Sequence, residues 1–280
     1  MSESDEKKLN TIKEIVQAVP VYQDLVQPAA QEIGKSLAIV AKTVNIALAP
    51  VSILVWGYDK IKDFIETSVA EKIKNLPPEQ IVSNPDPKVI GQSLEALKFV
   101  GPDKDLRDMY ANLIASSLDK KTAKNAHPAY VDIIKSLTPD EARILKCMAK
   151  NDTYASVELR IKKNSGGYRV GINHFSILMF DANCEHPELF SGYIDNLCRL
   201  GLLESPSGIT LSDKKFYESI EAHPWLKMAR DGASEKGRET TIQNKAIKTT
   251  SFGKQFIFAC VIDKLAEGTE RTSAPESRLS

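Results

Sequence analysis

The sequence has few of the residues, and none of the short motifs, on which catalytic and metal sites are usually built. Its 280 residues include only four cysteines and four histidines, and no two cysteines form a CxxC pair. Scattered cysteines of this kind are typical of reduced, mostly buried thiols. The phosphate-binding patterns GxxxxGK[ST] and GxGxxG, the HExxH pair and the GxSxG elbow are also absent from the sequence. The sequence therefore predicts a protein without enzymatic activity, with no catalytic residues, no metal and no cofactor.

Two local groupings come closest to a site. The run Cys184-Glu185-His186 has Cys198 and His174 nearby in sequence, but structural zinc normally takes ligands in short-spaced pairs and there is no second pair. His127 could act as a general base in principle. Its position just before Pro128 and a helix favours a capping or packing role instead.

Charge and termini suggest where the protein acts. Lys and Arg total 37, as do Asp and Glu, so no net charge draws the chain toward nucleic acid or anionic lipid. The charged start, residues 1–8, lacks the apolar run of a secretory signal, which predicts a cytoplasmic protein. Residues 1–8 and 266–280 are polar and aperiodic, and we expect both ends to be disordered.

Residues 37–57 form the most unusual segment, because they contain a single charge, Lys42. Its ten Leu, Ile and Val residues contribute about −3 to −6 kcal/mol to membrane insertion, and Lys42 costs about 3 kcal/mol near the centre. The free energy of membrane insertion of this segment therefore sums to near zero. In a helix, one narrow polar stripe would contain Lys35, Lys42, Asn45 and Ser52. Such a stripe is typical of a buried helix with one solvent-exposed side. Two interpretations of residues 37–57 are therefore possible: a helix in the protein core, or a segment that contacts a membrane.

The rest of the first half predicts a helical bundle over residues 9–135. An amphipathic helix after residue 57 places Ile61, Phe64, Ile65, Val69 and Ile73 on one face and ends at Pro77. Further helix starts are predicted at 86–87, 102–103 and 128, where Pro or Asp precedes an apolar periodic run. A capping box at 138–141 marks one more.

Beyond residue 151 the residue pattern changes from helical periodicity to β-rich runs. We place a domain boundary before this change, near residue 136. Two β-rich runs, 157–163 and 168–180, flank a hairpin turn at 164–167. The sequence then predicts a helix from Pro187 to Gly201 and a second helix over 213–229. A polar stretch over 230–237 follows, and after it a strand over 245–250 and a last helix capped by Ser251. The fold class predicted is mainly α, with an N-terminal helical bundle followed by a smaller α+β winged-helix-like domain over residues 136–265.

The helix 187–201 would be the recognition helix of such a domain. It offers Glu188 and Asp195 against Arg199, whereas DNA recognition needs positive charge to neutralise phosphates. Sequence-specific DNA binding is therefore disfavoured, and a protein-contact role is favoured. Tyr193, Asn196 and Arg199 are the candidate protein-contact residues.

The order of several segments resembles the Abi-alpha family, a bacterial group linked to abortive infection. The segments are GKSLAIVAKTVNIALAP, GYDKIKDFIETSVAEKIKNLPPEQIV, the Pro-Asp-Pro at 85–87, EALKF, DLRDMYANLIASSLDK and HPAYVDIIKSLTPDEARIL, with weaker matches at LGLLE and TSFGKQF. The resemblance implies a role in defence against phage, by halting or killing the infected cell. It implies no catalytic residues.

Three hypotheses of action follow. The first is a non-enzymatic effector, peripheral to the inner membrane, that contacts the bilayer on infection through Ile46, Leu48, Val51, Ile53, Leu54, Val55 and Trp56. The second is a soluble sensor or protein-binding module that meets a phage or host protein through the winged-helix-like half. The third is a cryptic enzyme such as a nuclease, built from residues far apart in the sequence.

Overall fold

The structure is a computed structural model that describes residues 57–163 and 165–263. The predicted apolar helix 37–57, apart from its last residue Gly57, lies outside these residues, as do its membrane-contact candidates and the predicted disordered ends. None of the helices within the described ranges is long and apolar enough to cross a membrane.

The later helices of the first half start within two residues of where the sequence predicts, and the first helix ends at Ile73, four residues before the predicted end at Pro77. The helices of this half are α1 (Tyr58–Phe64), a π-helical continuation (Ile65–Val69), α2 (Ala70–Ile73), α3 (Pro87–Val100), α4 (Lys104–Leu118), α5 (Ala129–Lys135) and α6 (Pro139–Met148). The side chains of Asp86 and Asp103 cap α3 and α4 by accepting hydrogen bonds from the amides of Lys88 and Leu106. The capping box before α6 is also confirmed, with Thr138 and Glu141 bonded reciprocally.

The predicted apolar face of the first helix is buried as expected. Ile61, Phe64, Ile65, Val69 and Ile73 are all at most 5% exposed. The π-helical turn within this helix was not predicted. A π-turn holds more residues than an α-turn, and Ile61, Ile65, Val69 and Ile73 recur every four residues, a spacing slightly longer than one α-helical turn.

Helix α4 lies at the centre of this half. Every residue from Met109 to Leu118 is buried, and α4 packs against α3, α5, α6 and both π-helical segments. The second π-helical segment, Ile257–Val261, comes from the far end of the described chain. Asn112 on α4 donates to the carbonyl oxygens of Cys260 (3.1 Å) and Val261 (3.4 Å), and Ser116 donates to that of Ala259 (2.9 Å).

The second half is a four-stranded antiparallel sheet covered by short helices. The strands are β1 (Thr153–Lys162), β2 (Tyr168–Phe175), β3 (Leu203–Glu204) and β4 (Thr240–Thr249), in the order β2-β1-β4-β3. Its helices are α7 (Leu178–Asp181), α8 (Phe190–Arg199), α9 (Lys215–Glu221), α10 (Pro224–Ser234) and α11 (Ser251–Phe256). The mainly α fold with a smaller α+β part is therefore confirmed, whereas the winged-helix arrangement stays a prediction.

The predicted β-hairpin is present, with a tight turn. The Lys163 amide donates to the Gly167 carbonyl (3.0 Å) and the Gly166 amide donates to the Lys163 carbonyl (3.1 Å). Gly166 and Gly167 have φ of 85° and 74°, in the left-handed region that glycine adopts without steric cost. This explains the two consecutive glycines at the tip.

Four local predictions in this half are wrong. The single helix expected over 213–229 is two helices, α9 and α10, because Pro224 cannot donate an amide and disfavours a helical conformation at His223. The expected polar stretch is helical up to Ser234. The end of the second β-rich run, from Leu178, is the helix α7. The last helix is capped by Thr250, whose hydroxyl accepts from the Gly253 amide (2.8 Å), rather than by Ser251.

Buried apolar side chains from both halves form one continuous cluster. The α11 helix and the π-helical segment after it connect the sheet to α4. Phe256, at the end of α11, meets the ring of Tyr130 on α5 edge-on at 5.2 Å between centroids. The domain boundary near residue 136 stays a prediction.

Candidate functional site

An apolar groove of about 380 Å³ opens between β2, α8 and α10. Volumes of this order are typical of sites that bind a ligand or a partner's side chains. The apolar part of its wall is formed by Ile172, Phe175, Met179, Pro187, Phe190, Trp225, Met228 and Ala229, and the polar part by His174, Glu188 and Ser191. The groove thus combines a large apolar wall with few polar groups.

His174 is held in the groove wall by an irregularity of the sheet. Between the pairs Val157–Phe175 and Leu159–Ile172, β2 carries one more residue than β1. His174 lies in this bulge with a φ of 55°. A positive φ at a residue other than glycine is uncommon, and bulges often redirect side chains at functional sites. The sheet departs from regular geometry at the residue that meets the groove.

The imidazole of His174 has one partnered and one unpartnered nitrogen. Nε2 lies 3.4 Å from Oδ1 of Asp195 on α8, whereas the buried Nδ1 has no hydrogen-bond partner among the described residues. The side chain is 6% exposed. Because a carboxylate accepts, the proton belongs on Nε2 in the neutral ring, and Nδ1 is left as an acceptor. His174 therefore carries an enclosed acceptor that has no donor among the described residues.

Burial, together with a nearby positive charge, lowers the pKa of His174. Burial lowers its pKa below the ordinary 6.5, and the positive charge of Lys245 lowers it further, which outweighs the opposite effect of Asp195 and Glu158. Lys245 is itself held by Glu158 (3.3 Å) and by the amide oxygen of Asn173 (3.0 Å). At neutral pH the ring is therefore uncharged, and Nδ1 accepts rather than donates.

Aromatic contacts fix the rim of the groove. The rings of Phe180 and His223 are stacked, 4.6 Å apart with a 20° interplanar angle, and Trp225 meets Phe180 edge-on at 5.6 Å. Nδ1 of His223 also accepts from the Trp225 amide (3.3 Å) at the start of α10. Trp225 is thus held in place although it is 43% exposed. A preorganised rim lowers the entropy cost of binding.

The groove is better suited to binding than to nucleophilic catalysis. Ser191 is the hydroxyl residue of its wall, but this hydroxyl donates to the carbonyl oxygen of Asn173. A serine nucleophile is activated by a hydrogen bond to its base, so the observed bond does not prepare Ser191 for attack. Within the described ranges, no group of three or more His, Cys, Asp or Glu side chains could hold a metal ion.

The predicted protein-contact residues lie together on α8, facing α6. The Tyr193 hydroxyl donates to Asp140 (2.9 Å), and the Asn196 amide donates to Glu141 (2.7 Å) and to the Ser136 carbonyl (3.1 Å). Arg199 donates to the Asn196 side chain (2.6 Å). All three therefore contribute to contacts within the chain, and their role toward another protein stays a prediction. The capping or packing role predicted for His127 is confirmed, because its Nδ1 accepts from the Ala129 amide (3.1 Å).

The groove is not visible in the sequence. There His174 stands out only as a possible metal ligand, and Trp225 and Met228 belong to the predicted helix 213–229. One local signal was available: Asn173-His174 interrupts an apolar β-run with two residue types that are enriched at positive φ. That signal indicates an irregular strand but not what packs against it.

Comparison with known proteins gives the family. The family model described as abortive infection alpha matches residues 57–260, and no curated protein matches the chain. One solved structure, an uncharacterized protein from the hydrocarbon-degrading marine bacterium Alcanivorax borkumensis SK2, is 21% identical with a TM-score of 0.34, over 49% of this chain and 92% of that chain. The match to the family model includes well over half of the sequence and nearly all of the described residues, and the chain therefore belongs to the abortive infection alpha family, with a role related to abortive infection.

Proposed function

We propose that this abortive-infection protein acts without catalysis, by recognising a phage or host protein through the groove between β2, α8 and α10. The observation that carries the proposal is the groove itself, an apolar depression with aromatic side chains held in place at its rim. Binding would couple infection to the response of the cell. This is the protein-binding hypothesis of the sequence analysis, assigned to residues that the sequence did not single out.

The surroundings of the groove favour a protein as its occupant. Trp225, Met228 and Leu189 are 43%, 69% and 53% exposed; the first two line the groove, and Leu189 follows the lining residues Pro187 and Glu188. Met228 also borders a second depression, which is lined by Ala222, Pro224, Lys227, Asp231, Gly232 and Glu235. Contiguous exposed apolar side chains of this kind mark protein interaction sites. A small ligand confined to the groove would leave this rim uncovered.

Replacing Met228 with Glu tests the proposal. The side chain is 69% exposed, so the substitution should leave the fold intact while a charge is placed at the rim. We expect cells protected by the protein to lose at least about 10-fold of their protection, as expected when an interface residue worth roughly 1.4 kcal/mol is lost. The efficiency of plating of a restricted phage measures this loss.

Phe99 provides the matched control, because it is 68% exposed and lies on α3 rather than at the groove. Phe99→Glu should protect as well as the wild type at equal protein level. Full protection by Met228→Glu would rule out the groove as the recognition site.

A membrane effector is the second candidate function, and the near-zero insertion energy of residues 37–57 favours it. If this segment contacts the inner membrane on infection, Leu48→Asp with Ile53→Asp should abolish both depolarisation and toxicity, because each charge costs about 3 kcal/mol in the bilayer. A voltage-sensitive dye follows the membrane potential after infection. The variant with Leu48→Ile and Ile53→Leu should depolarise normally, and toxicity retained by the folded Asp variant would refute this candidate.

A further inference from the structure

The outer end of the sheet concentrates positive charge in a chain that is neutral overall. This basic end comprises the hairpin tip and the residues just before β4, and its cations are Arg160, Lys162, Lys163, Arg169 and Arg238. Backbone pairing holds these segments together, because the Lys162 amide donates to the carbonyl of the residue after Arg238 (2.9 Å). Since Lys and Arg equal Asp and Glu over the whole sequence, the concentration is a local feature that attracts anions to this end.

Three of the five cations have no partner of opposite charge among the described residues. Arg160 and Lys162 are each paired with a carboxylate, at 2.6 and 2.7 Å. Lys163, Arg169 and Arg238 are exposed and form no salt bridge within the described ranges. These three positive charges are therefore available to an anionic ligand.

An exposed aromatic ring lies at the same end. Tyr168 is 49% exposed, and the Arg160 guanidinium lies 4.1 Å from the centroid of its ring. The strand register causes this contact, because Tyr168 is opposite Lys162 and side chains two residues apart on a strand share one face. Arg160 is itself held by Glu158. The ring is thus kept in position by a cation while about half of the side chain stays exposed.

The hairpin tip is open to a ligand. Nothing lies within 4 Å of where a Cβ atom would be at Gly166 or Gly167. Residues 165–171 are all exposed. An elongated ligand can therefore lie along the tip and contact both the cations and the ring.

We propose that the basic end binds single-stranded nucleic acid without reading its sequence. Lys163, Arg169 and Arg238 neutralise backbone phosphates, and a base stacks on the ring of Tyr168. Proteins that bind single strands combine such cations with exposed aromatic rings. The site goes beyond the proposed function. It also differs from the disfavoured DNA contact of helix 187–201, because it needs no contact with base edges.

The exposed ring favours nucleic acid over anionic lipid as the ligand. Every base has a π-face that can stack on Tyr168, whereas a lipid surface attracts basic residues through its charge. Cations alone would serve both ligands equally.

Fluorescence anisotropy of a labelled oligothymidylate of about 12 nucleotides, titrated with the full-length protein, tests the proposal. Three neutralised phosphates predict a slope of about −2 for log K against log salt concentration. Lys163→Glu with Arg169→Glu should weaken binding at least about 10-fold at low salt, because repulsion replaces two of the three phosphate contacts.

Lys88→Glu with Lys104→Glu is the matched control, because it changes the net charge equally. Both lysines are exposed at the starts of α3 and α4, where an acidic residue suits the helix dipole. This variant should bind the oligothymidylate as the wild type does. No binding by the wild type, or equal binding by the hairpin variant, would overturn the proposal.

Tyr168→Thr tests the stacked base separately from the charge. Threonine is well accommodated in a strand, and the loss of one stacked base should weaken binding about 5-fold or more. The slope against salt should stay the same. Unchanged affinity would overturn the base stacking on which the choice of a single strand depends. Binding to phosphatidylglycerol vesicles but not to oligothymidylate would assign the basic end to anionic lipid and overturn the nucleic-acid ligand.

Discussion

Replacing Gly253 with Ala should unfold or severely destabilise the protein. A Cβ atom at this position would lie 2.0 Å from the carbonyl oxygen of Leu202 and 2.9 Å from its carbonyl carbon. Both are backbone atoms, so no side-chain rotation relieves the overlap. We expect the free energy of unfolding to fall by about 3 kcal/mol or more, at the upper end of overpacking effects.

The close approach at Gly253 has a local cause. The Thr250 amide donates to the Leu202 carbonyl (3.1 Å), and the Thr250 hydroxyl donates to that of Gly201 (2.6 Å) while accepting from the Gly253 amide. These bonds hold the first turn of α11 against the backbone that leads into β3. A methyl group at residue 253 would force the two segments apart.

Gly192 is the matched control for this substitution. It lies on α8, and nothing is within 4 Å of where its Cβ would be. Gly192→Ala should raise the free energy of unfolding by about 0.8 to 1 kcal/mol, the difference in helix propensity between the two residues. Urea unfolding of both variants measures the contrast, and a Gly253→Ala protein as stable as the wild type would show that the two backbones separate without cost.

Replacing Asp140 with Ala should cost about 2 to 3 kcal/mol of stability, as expected when buried donors lose a charged acceptor. Asp140 is 3% exposed. It accepts hydrogen bonds from the Arg143 guanidinium, the Tyr193 hydroxyl (2.9 Å) and the amides of Glu185 (2.8 Å) and His186 (3.0 Å). Without the carboxylate, the Tyr193 hydroxyl and the amides of Glu185 and His186 would lose this acceptor, whereas Arg143 would keep its ion pairs with Asp105 and Glu185.

The effect of Asp140→Ala should depend on pH. Burial alone would raise the pKa of Asp140, but the hydrogen bonds from Glu185, Arg143, His186 and Tyr193 together hold it below the ordinary 3.8. Its contribution is therefore fully present above about pH 4 and is lost as the pH falls through the lower pKa of the folded state. The stability difference between wild type and variant should shrink in strong acid.

Asp132 is the control for Asp140. Its side chain is 75% exposed and pairs with Lys135 at 3.3 Å, and surface pairs of this kind contribute at most about 1 kcal/mol. Asp132→Ala should therefore change the urea midpoint little. If the urea midpoint shifted equally in both variants, the hydrogen bonds to Asp140 would contribute little to the packing of α6 against the segment before α8.

The parts of the fold that were predicted correctly depend on neighbours in the sequence. The capping box at Thr138 and Glu141 and the caps at Asp86 and Asp103 use partners within three residues, so the residue types alone indicate them. The apolar row of the first helix is visible for the same reason. Pro224 is an equally local signal, and it divides the predicted helix 213–229 into α9 and α10.

The candidate site could not be predicted because its members are far apart in the sequence. His174 on β2, Ser191 on α8 and Trp225 on α10 meet only after the sheet has formed. Asp140 was recognised as part of a helix start, but its partners at residues 185, 186 and 193 are about fifty positions away. Hydrophobic periodicity indicates which face of a helix is buried but not which segment covers it.

The packing of the π-helical segment Ile257–Val261 on α4 also affects how the protein is made. A ribosome releases α4 long before residue 257 exists, and until then the Asn112 and Ser116 side chains lack the carbonyl groups that they bond in the folded protein. Contacts between residues so distant in sequence form late. A premature stop codon anywhere before residue 257 would therefore leave the central helix of the first half partly uncovered, and the fragment would be a target for chaperones and proteases rather than a shorter working protein.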